Sequence, residues 1–532
     1  MKFTKLMSIS AMALMAAGAV QAKTLVFCSE GSPEGFDPAP YTAGTTFDAS
    51  SKAIYNRLVE FAPGTTNVQP ALAESWEVSA DGMEVTFKLR QGVKFHTTDF
   101  FTPTRDFNAD DVIFSFTRQG DAANPWNQYI AGITYEYYSG MEMATVIKEM
   151  VKVDDYTVKF VLSRPEAPFL ANMAMDFASI LSKEYADGLD AAGTKENLNS
   201  APVGTGPFQF VAYEKDAVIR YKANADYFGG KPAVDDLVFA ITLDPAVRMQ
   251  KLQAGECHVA PYPAPADLAA LKADPNLTVM EQAGLNVAYL AYNTSVAPFD
   301  NPDVRKALNM AIDKDAILEA VYQGTGQKAK NPIPPTMWSY NDAVTDDAYD
   351  PEAAKAALDA AGVSGLTMKV WAMPVQRPYM PNAQRAAELI QADFAKVGVT
   401  VEIVTYEWGE YLKKSSEKAR DGAVILGWTG DNGDPDNFMG VLLGCAAATD
   451  GGSNRAQWCD ADFDALIQKA KVTADQAERA KLYEEAQLIF KAKAPWATLG
   501  HSTVFMPMST KVSGYVMDPL GSHSFAGVDI AE

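Results

Sequence analysis

Histidine and cysteine are scarce in this chain of 532 residues, with four of each. His96, His258, His501 and His523 are scattered and no HExxH occurs, so the helix that presents two imidazoles to a catalytic zinc is missing. Cys28, Cys257, Cys445 and Cys459 form no CxxC, which argues against zinc ribbons and thioredoxin chemistry. No GxSxG and no GxxxxGK[ST] appears, which removes the serine-hydrolase elbow and the phosphate-cradling loop. Val203-Gly204-Thr205-Gly206-Pro207 is glycine-rich but lacks the lysine, and it reads as a structural turn. Positive charge is also in deficit. Lys and Arg number 45 against 67 Asp and Glu, a formal charge of −22. No basic stripe is available to neutralise phosphates, so nucleic acid is excluded as a partner. Such acidity keeps a protein soluble and mildly attracts cationic ends of ligands.

Long apolar runs are absent beyond the N-terminus. Lys2 and Lys5 precede an apolar stretch from Leu6 to Val20, and Val20-Gln21-Ala22 ends it with small residues at the −3 and −1 positions. This is the pattern of a cleaved secretory signal peptide over residues 1–22, and its loss takes the formal charge from −22 to −24. Lys23, not Cys, follows the cut, so no lipid attachment site is offered. No later stretch suits a membrane span. About 510 mature residues exceed what one core usually supports, so two or three lobes are expected. An even cysteine count in an oxidising compartment suggests disulfides. Of three possible pairings we favour Cys445–Cys459, a short local loop, and therefore Cys28–Cys257. No metal or cofactor is expected.

The pattern along the chain is α/β. Thr24–Ser29 reads as a strand, residues 30–45 as a Gly/Pro loop and Asp48–Phe61 as a helix. Ser75–Val78 and Val85–Leu89 flank Asp81-Gly82, a hairpin signal, within a mixed α+β region over residues 60–200. Pro265–Pro275 reads as a surface helix. The most informative stretch is 366–438. Leu366–Met373 alternates like a strand, Ala383–Val397 carries an apolar stripe and stops at Gly398, and Val399–Thr405 is β-branched. Trp408–Arg420 is again helical and Ala423–Trp428 is a strand. This β–α–β–α–β run predicts a parallel sheet. Open α/β sheets bind ligands beyond the carboxyl ends of their strands. Two loops there carry Arg377 and Asp431, and the loop after the first strand carries Thr42.

Asp431-Asn432-Gly433-Asp434-Pro435-Asp436-Asn437 superficially suggests a calcium loop. The EF-hand pattern needs Gly at position 6 and Glu at position 12. From Asp434 those places hold Met439 and Cys445, and from Asp431 they hold Asp436 and Leu442, so both registers fail.

Longer stretches carry a resemblance. Ala73-Glu74-Ser75-Trp76 through Phe95-His96, Asn108-Ala109-Asp110-Asp111-Val112, Val203–Phe208 and Val304-Arg305-Lys306-Ala307-Leu308 are similar to the signature of the large solute-binding proteins for peptides and nickel, family 5. The likeness runs over essentially the whole mature chain. Ser29–Phe36, Trp371–Tyr379 and Gly427–Phe438 bring it nearest to the dipeptide-binding members. The resemblance implies a periplasmic, monomeric, non-enzymatic component of an ABC importer that hands its ligand to an inner-membrane permease. It implies an α/β two-lobed, Venus-flytrap clamshell with an extra α+β subdomain in the N-terminal lobe. One lobe would be 23–282 plus 500–532, with the extra subdomain near 58–203, and the other 283–499.

The resemblance also implies site roles. A dipeptide is a zwitterion whose backbone spans about 7 Å at ~3.3–3.6 Å per residue. A site tolerant of many side chains must grip the two charged ends. Asp431 would take the ammonium and Arg377 the carboxylate, since its planar fork meets a carboxylate with two bonds. Backbone groups of Trp428, Thr429 and Gly430, with Thr42 opposite, would hold the peptide amide, while Pro378, Tyr379 and Trp428 wall the side-chain pockets. In the open form Arg377 and Asp431 would stay hydrated, and a zwitterion would pair both on closure. A ligand lacking one terminus would strand a buried charge at about 3–5 kcal/mol. Other ligands within the same family are longer peptides, a glutathione-like tripeptide, haem, an amino-levulinate-type molecule or nickel, the last disfavoured by so few histidines. Outside it stand a secreted peptidase and a chaperone-like envelope protein.

Overall fold

The computed structural model describes residues 22–531. The signal-peptide reading therefore falls almost wholly outside the described residues.

The strand Thr24–Phe27 pairs in parallel with Asp236–Ala240. That strand is followed across the sheet by Val218–Ala223 and Phe208–Glu214, both antiparallel. The Asp-Gly meander forms a separate four-stranded antiparallel sheet, ordered Ala73–Val78, Glu84–Leu89, Thr157–Leu162, Ile147–Asp154. Gly82 takes φ +70° at its turn, the left-handed conformation that glycine adopts without strain. Helix Ala109–Gly120 beside it starts on a capping box between Asn108 and Asp111. The surface helix expected near 265–275 is present as Leu268–Ala273.

The 366–438 unit folds as its pattern predicts. Strands Thr367–Trp371, Thr400–Val404 and Ala423–Thr429 alternate with helices Ala383–Lys396 and Trp408–Ser415. Thr367–Trp371 pairs in parallel with both of the other strands. Ala423–Thr429 then continues antiparallel onto Asn286–Tyr292, whose seven residues are all buried, as a central strand covered on both faces requires. Tyr289 of that strand stacks on Trp496 with centroids 3.9 Å apart.

Strand Trp496–Ser509 ties the sheets together. Its first part pairs with Asn286–Tyr292 and its second, from Thr503, with Leu277–Ala283. The chain thus changes partner strands at 283–286 and again at 500–503. The crossings are clamped to each other. Asn286 Nδ2 donates to the Ser502 carbonyl at 3.2 Å and Asn286 Oδ1 accepts from the Ser502 N–H at 2.9 Å. The Asn286 carbonyl lies 2.7 Å from His501 Nδ1.

One expectation is corrected. Asp48–Phe61 is not a helix: the helix is Gly44–Ala49, and Val59–Phe61 is a strand paired with Val68–Pro70. The backbone between them is drawn into a tertiary contact. The Ile54 carbonyl accepts from the Gly206 N–H at 2.7 Å and the Ala53 carbonyl from the Phe208 N–H at 2.9 Å. A Cβ on Gly204 would stand 2.0 Å from the Ile54 oxygen, so the Gly-Thr-Gly turn exists for this approach. Apolar spacing alone suits a helix, but the long-range pairing overrides it.

Cys28 is bonded to Cys257 and Cys445 to Cys459, with Cα separations of 5.8 and 4.6 Å. His258, next to Cys257, accepts from the Val26 N–H at 2.9 Å through Nδ1. Among the described residues no helix is long and apolar enough to cross a membrane.

Candidate ligand-binding site

In the α/β unit the chain passes from the middle strand to one side, returns, and crosses to the other. The loops leaving Thr367–Trp371 and Ala423–Thr429 therefore diverge at a switch point, where such sheets open a crevice. The first loop carries Arg377, Pro378 and Tyr379, and the second carries Asp431.

Both loops are held by internal bonds. In the first, Arg377 and Met380 exchange backbone N–H···O bonds of 3.2 and 3.0 Å. The Ser502 hydroxyl donates to the Pro378 carbonyl and the Tyr322 hydroxyl to the Tyr379 carbonyl. Gly427 has no Cβ because the Tyr379 ring occupies that space; a Cβ there would lie 2.3 Å from the ring. In the second loop, Asn437 Oδ1 accepts from the Asp431 N–H at 2.8 Å and from Trp428 Nε1 at 2.9 Å. Asn432 and Asp434 each accept from the backbone two residues on, at 2.9 and 3.0 Å, and Asp434 also meets Arg479 at 2.8 Å. The run of Asn and Asp that mimics a calcium loop is thus spent on successive Asx turns.

The facing wall comes from Thr42, helix Gly44–Ala49, Lys52, Asp176 and residues 520–522. Between the walls lies a narrow cavity of about 80 Å³. Thr42, Arg377, Pro378, Tyr379, Trp428, Thr429 and Asp431 all line it, so seven of the eight sequence candidates meet in one place. Gly430 does not. It is buried behind the wall, its N–H donates to the Leu285 carbonyl at 2.8 Å, and Phe438 and Leu285 occupy the space beside it. Its amide hydrogen is already used inside the sheet edge.

The charges are arranged otherwise than the sequence suggests. Arg377 and Asp431 do not wait unpaired, since each has a partner from the opposite wall. Arg377 Nη1 donates to Glu30 Oε1 at 2.6 Å, and its guanidinium stacks over the Trp408 ring at 5.7 Å. Burial opposes the charge on Arg377 most strongly, but Glu30 together with Tyr379, Tyr262 and Asp48 more than offsets it and holds the guanidinium above its ordinary pKa. Asp431 Oδ2 accepts from the Tyr137 hydroxyl at 2.8 Å. Burial pushes the Asp431 carboxyl up to about 7, against the hydrogen bonds from Tyr137 and Asn437. Lys52 pairs with Asp176 at 3.0 Å and Arg455 with Glu136 at 3.2 Å. Thr429 lines this cavity, and its hydroxyl is buried without a partner.

Sequence reasoning missed Glu30, Tyr137, Lys52, Asp176 and Arg455. Glu30 is legible afterwards, because it sits just past the carboxyl end of the first strand. Tyr137 and Arg455 stand on elements with no pattern that points at a cleft, and only the packing brings them there.

A two-walled cleft at a strand-end switch point, with opposite charges on adjoining loops, agrees with the comparisons. Residues 67–450 match the model of the bacterial extracellular solute-binding proteins, family 5 Middle. The chain belongs to this family. The "Dipeptide-binding protein" of Escherichia coli (strain K12) is 58% identical to this solute-binding protein over 525 residues, 98% of each chain. The "Heme-binding protein A" of Haemophilus influenzae is 52% identical over 508 residues, 95% of this chain and 92% of that one. The crystal structure of a dipeptide-binding protein from Pseudoalteromonas sp. SM9913, in complex with Met-Leu, superposes with a TM-score of 0.92 at 41% identity and covers 96% of this chain and all of that one. The two-lobed fold of periplasmic binding proteins is therefore the fold of this solute-binding protein, and its family places it outside the cytoplasm.

Proposed function

We propose that this protein binds dipeptides as zwitterions in the cleft between its walls and delivers them, in the periplasm, to the permease of an ABC importer. The carrying observation is the cleft itself: Asp431 on one loop and Arg377 on the other line one cavity and leave neighbouring parallel strands. A free dipeptide presents an ammonium and a carboxylate at a fixed short separation. Arg377 has five N–H donors, and Glu30 takes one at Nη1, so donors are left for a ligand carboxylate. Asp431 would exchange its proton for the ligand ammonium while Tyr137 keeps hold of Oδ2. Thr42, Thr429 and the Trp428 backbone would hold the peptide unit, with Pro378 and Tyr379 as side-chain walls.

The lobes would be 23–282 with 500–532, and 283–499, with an additional unit near 58–203. The clamped crossings at 283–286 and 500–503 support this division, since closure then needs to bend only two short segments. We propose no covalent step; the cleft offers charge matching and exclusion of water, which favour closure around an intact guest.

Isothermal calorimetry with a ligand panel tests the reading. Free dipeptides are expected to bind, and N-acetylated or C-amidated versions about a hundredfold or more weaker, because each leaves a buried charge unpaired at about 3–5 kcal/mol. Equal or tighter binding of the blocked peptides overturns it, as does recovery of hydrolysed ligand.

A further inference from the structure

A second chamber of about 760 Å³ adjoins the cleft, and Thr42 and Leu412 line both. Glu34, Glu136 and Glu407 line it, and the charges of Glu136 and Glu407 both act on Glu34. Arg455, which faces the first cavity, is the cation that acts most on Glu34. Arg455 is already committed: Nη2 donates to Glu136 at 3.2 Å and Nη1 to the Gly452 carbonyl. Lys215 and Lys413 also line the chamber, yet among the described residues neither forms an ion pair with Glu34 or Glu136. Glu34 Oε2 is sealed from solvent and has no hydrogen-bond partner. Such an orphaned buried acceptor is costly. Burial first, and the charge of Glu136 next, push the Glu34 carboxyl up to about 8. The chamber therefore gathers three carboxylates beside the cleft, and among the described residues only Glu136 has a cation within ion-pair distance.

We propose that this chamber is the subsite for a cationic ligand side chain, lysine or arginine, whose charged head pairs with Glu34. The inference rests on the dipeptide reading and deepens it. The aliphatic stem would pass between Thr42 and Leu412, where apolar wall from Ile130 and Ile133 suits methylenes while the head reaches the carboxylate. A carboxyl raised to about 8 carries its proton at neutral pH, and a bound ammonium would favour the ionised form with which it pairs.

The test titrates Ala-Lys and Lys-Ala, each against its norleucine isostere, into the full-length wild type and Glu34→Gln by calorimetry. At least one lysine peptide is expected to bind about tenfold tighter than its isostere. In Glu34→Gln that advantage is expected to disappear while the norleucine peptides change by less than about twofold. If the norleucine peptides bind but lysine gives no advantage, or keeps it in the variant, the subsite inference is overturned and the dipeptide reading stands. If no dipeptide binds the wild type, the dipeptide reading fails and takes this inference with it. Should Glu34→Gln fail to fold by its melting curve, Glu136→Gln serves instead, with a several-fold loss of the lysine advantage expected and an unchanged advantage overturning the proposal.

Discussion

Glu30 Oε1 lies 2.6 Å from Arg377 Nη1, with both side chains more than nine-tenths buried. The two residues come from opposite walls of the cleft, 347 positions apart in the chain. The cation assigned to the ligand carboxylate is thus oriented by an anion from the facing wall.

Arg377→Ala is expected to abolish measurable dipeptide binding and also to destabilise the closed fold by about 3–5 kcal/mol, since it leaves Glu30 buried and unpaired. The double variant Glu30→Gln/Arg377→Ala is expected to recover most of that stability and none of the binding. Denaturant unfolding and calorimetry on the three proteins check this. Equal stability of the two variants would show that the pair contributes nothing.

Asp431 gives a pH dependence of definite sign. Its carboxyl sits near 7 in the empty cleft, raised by burial, whereas pairing with an ammonium requires the ionised form. Affinity is therefore highest between about pH 7 and the titration of the ligand's own amine near 8, and falls as pH drops below about 7, by about tenfold per unit at the steepest. Asp431→Asn is expected to bind weakly with a flat profile from pH 5 to 7.5. An affinity that rises on acidification would contradict the assignment.

The disulfides are expected to serve stability and not recognition. Cys28–Cys257 closes a loop of 229 residues, and its loss is expected to cost roughly 2–5 kcal/mol. Cys28→Ser/Cys257→Ser should lower the melting temperature while changing dipeptide affinity by less than about twofold. A selective loss of affinity at unchanged melting temperature would reverse that ranking.

The crossing clamp couples bending to the ligand loop, because Ser502 bonds Asn286 on one side and the Pro378 carbonyl on the other. A Cβ on Gly284 would stand 1.9 Å from Asn286 Nδ2. Gly284→Ala is expected to loosen the clamp and weaken every dipeptide by a similar factor, with a smaller ligand-induced contraction in small-angle scattering. Undiminished contraction and affinity would leave the clamp without a role in closure.

The sequence by itself determined the local units: the alternation of strand and helix over 366–438, the Asp-Gly hairpin, and the helix end at Gly398, whose φ is +82°. These follow from periodicity and turn chemistry, which act over a few residues. It also placed Arg377 and Asp431 at strand ends, because a β–α–β order constrains where loops emerge.

The tertiary structure decided the rest. The stretch after Ala49 has helical spacing, yet its backbone is drawn to Gly206 and Phe208, a pairing that no local pattern encodes. Gly430 shares a motif with Asp431 but spends its N–H on Leu285. Glu30 and Tyr137 enter the site from segments hundreds of residues away from its loops, and Arg455 from beyond the helix that follows the second loop. The electrostatic state of a cleft depends on which charges face each other across it, and that distance exists only after the chain has folded back on itself.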